Sequence, residues 1–239
     1  RIARNHATRE ESSDVAKGNN RWTRDDFPKR APGLDWSAFF DAAGLGSQQA
    51  FVVWQPGAVT GLAALVREVP LSTWKEYLSF RCLESAATYL PKAFADEEFA
   101  FYGKVLSGTP QQAERWKRAV EATDEALGEA VGKLYVARWF PPSEKARAEA
   151  MVRNEIAAFA KRIDRLDWMS GETKAKAKAK LAVLKVGVGY PDRWRDYSGL
   201  EVVAGDALGN ARRASLFELR RSLAKLGQPV DRGEWVMNP

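Results

Sequence analysis

Three successive stretches between residues 111 and 191 carry apolar side chains at steps of three and four positions, and no other feature limits the fold as strongly. On a helix of 3.6 residues per turn, these steps keep the apolar side chains on one face. The first stretch carries Ala113, Trp116, Val120, Thr123, Leu127, Val131 and Leu134, the second Val152, Ile156, Phe159, Ile163 and Leu166, and the third Thr173, Ala177, Leu181 and Leu184. The pattern predicts three helices, with the first two packed antiparallel and the third against them.

Breakers and caps set the limits of these helices. Pro141 and Pro142 end the first helix, because proline lacks an amide donor and restricts the residue before it. Ser170 is a suitable N-cap for the third helix, and residues 187–191, with two glycines and a proline, close the stretch. We predict that Trp168 is largely buried at the junction of the second and third helices, so that Trp168→Ala would cost ~3–5 kcal/mol.

The rest of the chain predicts further helices and one strand. Residues 50–55 are β-branched and aromatic, which favours a strand. Asp35 is placed to cap a short helix that Gly44 can end, and Ser72 is placed to cap another helix. Residues 1–30 predict helix followed by irregular structure, residues 58–68, 97–106 and 207–226 predict helices, residues 201–203 predict a short extended piece, and residues 230–239 predict an extended tail. The fold class is therefore mainly α, a multi-helix domain with long antiparallel helices and at most one or two short strands.

Length and composition fit an ordinary globular chain. The 239 residues, 45% hydrophobic and 28% charged, are enough for a well-buried core, and we expect one helical domain over residues 1–239. No apolar run approaches the ~20 residues that span a bilayer, so no membrane segment is expected in this chain. One cysteine excludes an internal disulfide. The chain does not begin with Met and has no hydrophobic signal segment, so we expect it to belong to a longer or processed polypeptide.

Side chains that commonly carry chemistry are few. His6 is the only histidine, which excludes a two-histidine metal site within the chain, and its polar surroundings favour a solvated or capping role. Cys82 lies on an apolar helical stripe and is expected to be a small buried side chain, not a nucleophile. Gly187 and Gly189 lack the third glycine and the following helix of a dinucleotide fingerprint, so a turn is the better interpretation. The residues alone predict no catalytic residue and no metal ligand.

Basic side chains support a second hypothesis. The net charge is +6, and Lys174, Lys176, Lys178 and Lys180 spread over two flanks of the third helix, which is typical of a solvated surface. Arg212, Arg213, Arg220 and Arg221 could form a basic face, although Glu218 interrupts it. The alternative function is therefore a non-enzymatic helical interaction module that binds an acidic partner or RNA through this face. A third possibility is that the chain is a naturally separate, truncated homologue of a longer protein and acts as a decoy or scaffold.

Several motifs, in order along the chain, resemble the neprilysin and endothelin-converting enzyme family of zinc metallopeptidases. The strongest is Leu166-Asp167-Trp168-Met169-Ser170, continued by Glu172-Thr173-Lys174 and followed by Val188-Gly189-Tyr190-Pro191-Asp192. The others are Val131-Gly132-Lys133-Leu134-Tyr135-Val136, Val230-Asp231-Arg232-x-Glu234-Trp235-x-Met237, residues 31–36 and Leu71-x-x-Trp74-x-x-Tyr77-Leu78, the last two being similar to bacterial members. The ordered set covers essentially the whole chain.

The resemblance implies a role without reactive groups. The family's zinc motif, His-Glu-x-x-His with a downstream glutamate, is absent from the sequence, so zinc is implied for the full-length enzyme and no cofactor for this segment. What remains corresponds to the smaller, mainly helical domain, which faces the catalytic domain across a large cavity and admits peptides rather than folded proteins.

Further implications concern partners and location. The implied partners are the catalytic domain of the same protein and peptide substrates, with no nucleic acid, and the implied location is periplasmic or secreted. Residues 1–10 and 228–239 are the candidate crossover segments to the catalytic domain, because hinges lie at element termini. The substrate-binding residues are not identified by the sequence.

Overall fold

The computed structural model describes residues 1–235. Within those residues, eleven α-helices and two short antiparallel strands form the regular structure, which confirms the predicted mainly α fold class. The chain divides into two compact units, Arg1–Pro110 and the residues from Gln111 onward. That residues 1–239 act as a single domain stays a prediction.

Seven of the helices and both strands belong to the first unit. They are α1 (Arg9–Ser13), α2 (Val15–Gly18), β1 (Asn20–Thr23), α3 (Asp26–Arg30), α4 (Trp36–Ala42), β2 (Ala50–Val53), α5 (Pro56–Glu68), α6 (Leu71–Ala86) and α7 (Lys92–Glu98). The strand predicted at residues 50–55 is confirmed as β2. Asp35 caps α4 as predicted, because its Oδ1 accepts from the Ala38 amide at 3.0 Å.

The sequence does not predict β1, which lies where helix followed by irregular structure is expected. β1 pairs antiparallel with β2, with Asn20 opposite Val53 and Trp22 opposite Phe51. Two of the four residues of β1 favour strands, the buried Trp22 and Thr23, and the run is too short to mark a strand by itself. Pairing with β2 and burial of that indole therefore decide the conformation, and neither is visible in the local sequence.

An aromatic cluster forms the core of the first unit. The ring of Phe27 lies 4.9 to 5.2 Å, centroid to centroid, from the rings of Trp22, Trp36, Phe40 and Phe51. Pairs at such separations add ~0.5–1.5 kcal/mol beyond the burial of their area. The cluster therefore binds both strands, α3 and α4 into one body.

Two predictions for residues 70–106 are wrong, and one is confirmed. Pro70, not Ser72, precedes α6, and no side chain caps that helix, because proline at the N-cap position has no side-chain oxygen to accept an amide hydrogen bond. Cys82 is exposed rather than buried, because its side of α6 faces solvent together with Leu78. The helix predicted at residues 97–106 is confirmed, since these residues form the end of α7 and the π-helix Phe99–Leu106 that continues from it.

Four helices form the second unit: α8 (Arg115–Trp139), α9 (Pro142–Asp164), α10 (Gly171–Ala182) and α11 (Ala207–Leu223). The three helices predicted between residues 111 and 191 are thereby confirmed, with Pro141 at the break between the first two. Ser170 caps α10 as predicted, since its Oγ accepts from the Thr173 amide at 3.2 Å. Residues 201–203 do not form a strand, and residues 236–239 of the predicted extended tail lie outside the described residues.

Helix pairing in the second unit differs from the prediction. α9 packs closely against α10, and α8 packs closely against α11, so the first two helices are not each other's main partners. α8 also bends at Leu127, whose φ of −133° and ψ of 25° are not helical. Apolar spacing identifies the apolar face of a helix but not the element that covers it, which is why the pairing could not be predicted.

The predicted burial of Trp168 is wrong, because 75% of this residue is exposed. Residues 165–170 connect α9 to the cap of α10, and the indole projects outward from this connection. The junction between α9 and α10 is held by two contacts of Asp164 instead. Its carboxylate pairs with Lys178 at 2.8 Å, and its carbonyl accepts from Lys174 at 3.0 Å.

Candidate functional site

The residues of this chain do not fit a zinc site. Within residues 1–235, no three His, Cys, Asp or Glu side chains are grouped closely enough to hold a metal ion. His6, the single histidine of the sequence, is exposed, and its backbone N–H donates to the Ala3 carbonyl at 3.3 Å. This placement agrees with the predicted solvated or capping role.

A mostly apolar concavity of about 660 Å³ lies in the first unit. Its walls include His6 and side chains from the end of α5 and the start of α6, among them Leu65, Val69, Trp74 and Tyr77. The indole N–H of Trp74 donates to the Leu65 carbonyl at 3.3 Å, which fixes that ring. The space has the size and character of a site for an apolar group.

The motif at residues 188–192 forms a fixed turn in the second unit. Lys145 Nζ donates to the Tyr190 carbonyl at 2.8 Å and pairs with Asp192 at 2.7 Å. This hydrogen bond and the positive charge of Lys145 hold the pKa of Asp192 below its ordinary value. Gly189 has a φ of +70°, and a Cβ there would lie 2.4 Å from a ring carbon of Phe140. The motif thus closes the turn tightly, as predicted for its glycines, and offers no reactive group.

A buried carboxylate organises the middle of the second unit. Glu129, on α8, is 5% exposed, and its Oε2 accepts from the Arg195 backbone N–H at 2.7 Å. The Arg195 guanidinium lies 3.2 Å from Glu129 Oε1 and 2.8 Å from Glu218 Oε1 on α11. Because a buried charge is tolerated only when paired and hydrogen-bonded, Arg195 fixes which side of α8 faces inward.

The last described residues continue this ionic network. Arg221, on α11, pairs with Glu218 at 2.9 Å and with Glu234 at 2.6 Å. Lys225 pairs with the same Glu234 oxygen at 2.5 Å. The hydrogen bonds from these two cations lower the pKa of Glu234 to about 2, and the Glu234 hydrogen bond raises the pKa of Arg221.

Other contacts hold the neighbours of Glu234, and we call residues 231–235 the C-terminal strap. Asp231 pairs with Arg193 at 2.6 Å, and the Arg232 carbonyl accepts from Lys185. The Trp235 ring lies so close to Gly187 that a Cβ on that glycine would be 2.7 Å from it. The motif at residues 230–237 therefore anchors this segment, within its described part, to the body of the second unit.

Many large apolar side chains of the second unit are exposed. They include Trp116, Val120, Leu134, Tyr135, Trp139, Met151, Phe159, Trp168, Val183 and Leu184. Scattered exposed apolar side chains are normal, but a continuous set marks a surface that another element covers. In the N-terminal half of α8, the exposed side chains follow the predicted apolar stripe.

Ion pairs use much of the basic face proposed in the alternative hypothesis. Arg213 pairs with Asp206 at 3.0 Å, and Arg221 pairs with Glu218 and Glu234. On α10, Lys176 pairs with Glu172, and Lys178 pairs with Asp164. Cations neutralised in this way contribute little to phosphate binding, so the structure does not favour the nucleic-acid alternative.

Glu129 and Arg195 are the residues that the sequence reasoning missed. Glu129 lies between Gly128 and Gly132 on α8, and all three are buried. A charged residue among glycines, on the side opposite the apolar stripe, is the signal that could have marked it. Its partner Arg195 is 66 positions away in an irregular segment, so the pairing itself could not be read from the sequence.

Comparison with known proteins identifies the protein family of this chain. Residues 1–191 match the model for the N-terminal region of peptidase family M13, and the chain belongs to this family. The resemblance to the neprilysin and endothelin-converting enzyme family of zinc metallopeptidases is thereby confirmed. Among residues 1–235, no helix combines the length and hydropathy that a membrane span needs.

Two relatives show the extent of the similarity in sequence and structure. The structure of Mycobacterium tuberculosis zinc metalloprotease 1 in an open state is similar to all of this chain, with 38% identity and a TM-score of 0.87. The inhibitor complex of the same protease matches 99% of the chain, with 37% identity and a TM-score of 0.88. An endothelin-converting enzyme homologue of Locusta migratoria is 28% identical over all of the chain. The chain spans 35% to 37% of the length of these relatives.

Proposed function

We propose that this chain is the substrate-access region of a neprilysin-like zinc endopeptidase and contributes no catalytic group. The observation that carries the proposal is membership of peptidase family M13 in a chain whose single histidine excludes the family's two-histidine motif. The full-length protein hydrolyses peptide bonds, and its zinc is held outside this chain. The partners of this region are the catalytic portion of the same protein and peptide substrates.

The physical role of such a region is exclusion. Walls around a peptidase site admit extended peptides and reject folded proteins, and they limit the access of bulk water. Packed helices and a dense ionic network supply stiff walls without a reacting group. Residues 1–10 and 228–239 are proposed as the crossovers to the catalytic portion. A periplasmic or secreted location is part of the same proposal and rests on the family resemblance alone.

The catalytic part of the proposal is tested with the isolated chain and the full-length protein side by side. We expect the full-length protein to cleave a short fluorogenic peptide in a zinc-dependent manner, and the isolated chain, shown to be helical by circular dichroism, to cleave none. Hydrolysis by the isolated chain that a chelator abolishes would show that the chain has an active site of its own.

The proposed exclusion of folded proteins is tested with one substrate protein in its folded and unfolded states. A small disulfide-bonded protein should resist the full-length enzyme while folded and should be cleaved after reduction and alkylation unfold it. A non-specific protease that cleaves both states serves as the control for substrate quality. Equal cleavage of the folded and unfolded forms by the full-length enzyme would rule out exclusion by size.

A further inference from the structure

The apolar side of α8 faces outward in the second unit. Trp116, Val120 and Leu134 are 63%, 58% and 76% exposed, and Thr123 between them is also exposed. Trp116, Val120 and Thr123 recur at steps of four and three before the bend at Leu127, so they share one face of that half of the helix, and Leu134 is exposed beyond the bend. Within the described residues of the second unit, nothing covers these apolar side chains.

The opposite side of α8 faces inward and consists of small or charged residues. Gly128, Glu129 and Gly132 are its buried positions. Residues two positions apart on a helix lie about 200° from each other, so Gly132 is roughly opposite Leu134. Beyond the bend, α8 therefore packs through glycine and a carboxylate while it exposes Leu134, which reverses the usual polarity of a helix.

The reversal is fixed by contacts and is not a free rotation of the helix. Glu129 is held by the backbone N–H and the guanidinium of Arg195, and Arg195 also pairs with Glu218 on α11. These contacts fix the half of α8 that follows the bend at Leu127, because rotating that half to bury Leu134 would bring Glu129 into water and break them. The apolar side chains that α8 exposes must therefore find a different partner.

We infer that the exposed apolar side chains of α8, Trp116 and Val120 before the bend and Leu134 after it, form a docking surface for the part of the full-length protein that lies outside this chain. Relatives that match almost the whole chain are about three times as long, since the chain spans 35% to 37% of their length. Most of such a protein is therefore available to cover this face. The inference rests on the family membership behind the proposed function but not on substrate exclusion.

Hydroxyl-radical footprinting of the full-length protein tests the inference directly. The oxidation rates of Trp116, Val120 and Leu134 are measured by mass spectrometry in native protein and in urea-unfolded protein. We expect each rate to fall by at least about tenfold in the native state, and to stay unchanged when the native protein is diluted. Rates close to those of the unfolded protein would overturn the inference. Protection that disappears on dilution would also overturn it, because the cover would then be a second copy.

A matched pair of substitutions in the full-length protein provides a second measurement. Val120→Lys places a charge in the docked face, whereas Glu121→Lys places the same side chain at the adjacent exposed position. We expect Val120→Lys to lower the midpoint of thermal unfolding by about 2 °C or more and Glu121→Lys to shift it by less than about 0.5 °C, because a given destabilisation shifts the midpoint less in a protein about three times as long as this chain. Equal, small shifts would contradict the inference. If Val120→Lys does not fold, footprinting of the unaltered protein decides.

The test separates this inference from the proposed function. Footprinting and unfolding midpoints do not depend on peptide hydrolysis. A protein whose α8 face is protected but which cleaves folded substrates would retain the docking surface and lose the access function. A protein whose α8 side chains are unprotected but which rejects folded substrates would retain the access function and lose the docking surface.

Discussion

At the scale of single residues, the sequence and the structure disagree most over aromatic burial. Trp22 and Trp168 are both tryptophans next to turns, yet Trp22 is 4% exposed and Trp168 is 75% exposed. The difference lies in what surrounds each ring: Trp22 meets Phe27, with centroids 5.0 Å apart, while Trp168 lies on a connection between two helices. Local sequence specifies a bulky side chain but not the distant rings that enclose it.

Substitution of these tryptophans should separate the two environments. In the isolated chain, Trp168→Ala is expected to change the free energy of unfolding by less than ~1 kcal/mol, because an exposed ring leaves no cavity. Trp22→Ala should cost ~3–5 kcal/mol, as is usual for large buried aromatics. Urea unfolding followed by circular dichroism measures both. A large decrease in the free energy of unfolding of Trp168→Ala would contradict the exposed position of that residue.

Gly189 offers a second prediction at the scale of one residue. Gly189→Ala must place a Cβ 2.4 Å from a Phe140 ring carbon at a φ of +70°, so we expect a loss of ~1–3 kcal/mol of stability. Gly171→Ala is the matched control, because its Cβ would meet nothing within 4 Å at the start of α10. That variant should be neutral or slightly more stable, since alanine favours a helix. Similar losses in both variants would contradict the account of the turn.

At the scale of elements, the C-terminal strap shows how a short irregular segment is held without regular structure. Its ties are ionic, and they come from the irregular residues before α11 as well as from α11 itself. Exposed single ion pairs contribute little, but two cations on one carboxylate share the entropic cost of ordering it. Glu234 is therefore the residue on which the strap depends most.

The strap predicts a specific dependence on pH. The pKa of Glu234 is about 2 in the folded chain, against an ordinary 4.5. A lowered carboxyl pKa stabilises the folded state above the ordinary value, and this contribution is lost as the pH falls from about 4.5 to about 2. Glu234→Gln should cost about 1 kcal/mol at pH 7, discounted for solvent screening, and much less near pH 2.

Chemical unfolding of both proteins at pH 7 and at pH 2 measures this dependence. Asp196→Asn is the control, because its carboxylate pKa is also lowered, but by its hydrogen bonds to Ser198 rather than by α11. Hydrogen exchange at residues 231–235 should rise in Glu234→Gln and not in the control. An unchanged exchange rate would mean that the strap does not depend on Glu234.

At the scale of the whole molecule, periodicity and breakers were enough to predict most helices, the fold class and, through ordered motifs, the family. The limits of α9 and α10 follow from Pro141, Ser170 and the stripe between them, all of which are local. The pairing of α8 with α11, the existence of β1 and the outward face of α8 depend on contacts between distant residues. The Glu129–Arg195 pair is the clearest case, because each partner by itself is an ordinary charged residue.

The strap also has a mechanical consequence. Arg221 and Lys225 lie four positions apart, at the end of α11 and just beyond it, and both pair with the Glu234 carboxylate. Tension applied to the backbone at residue 235 is therefore transmitted to α11 and, through Glu218 and Arg195, to α8. A displacement of the backbone at residue 235 would therefore move α11 and α8 together.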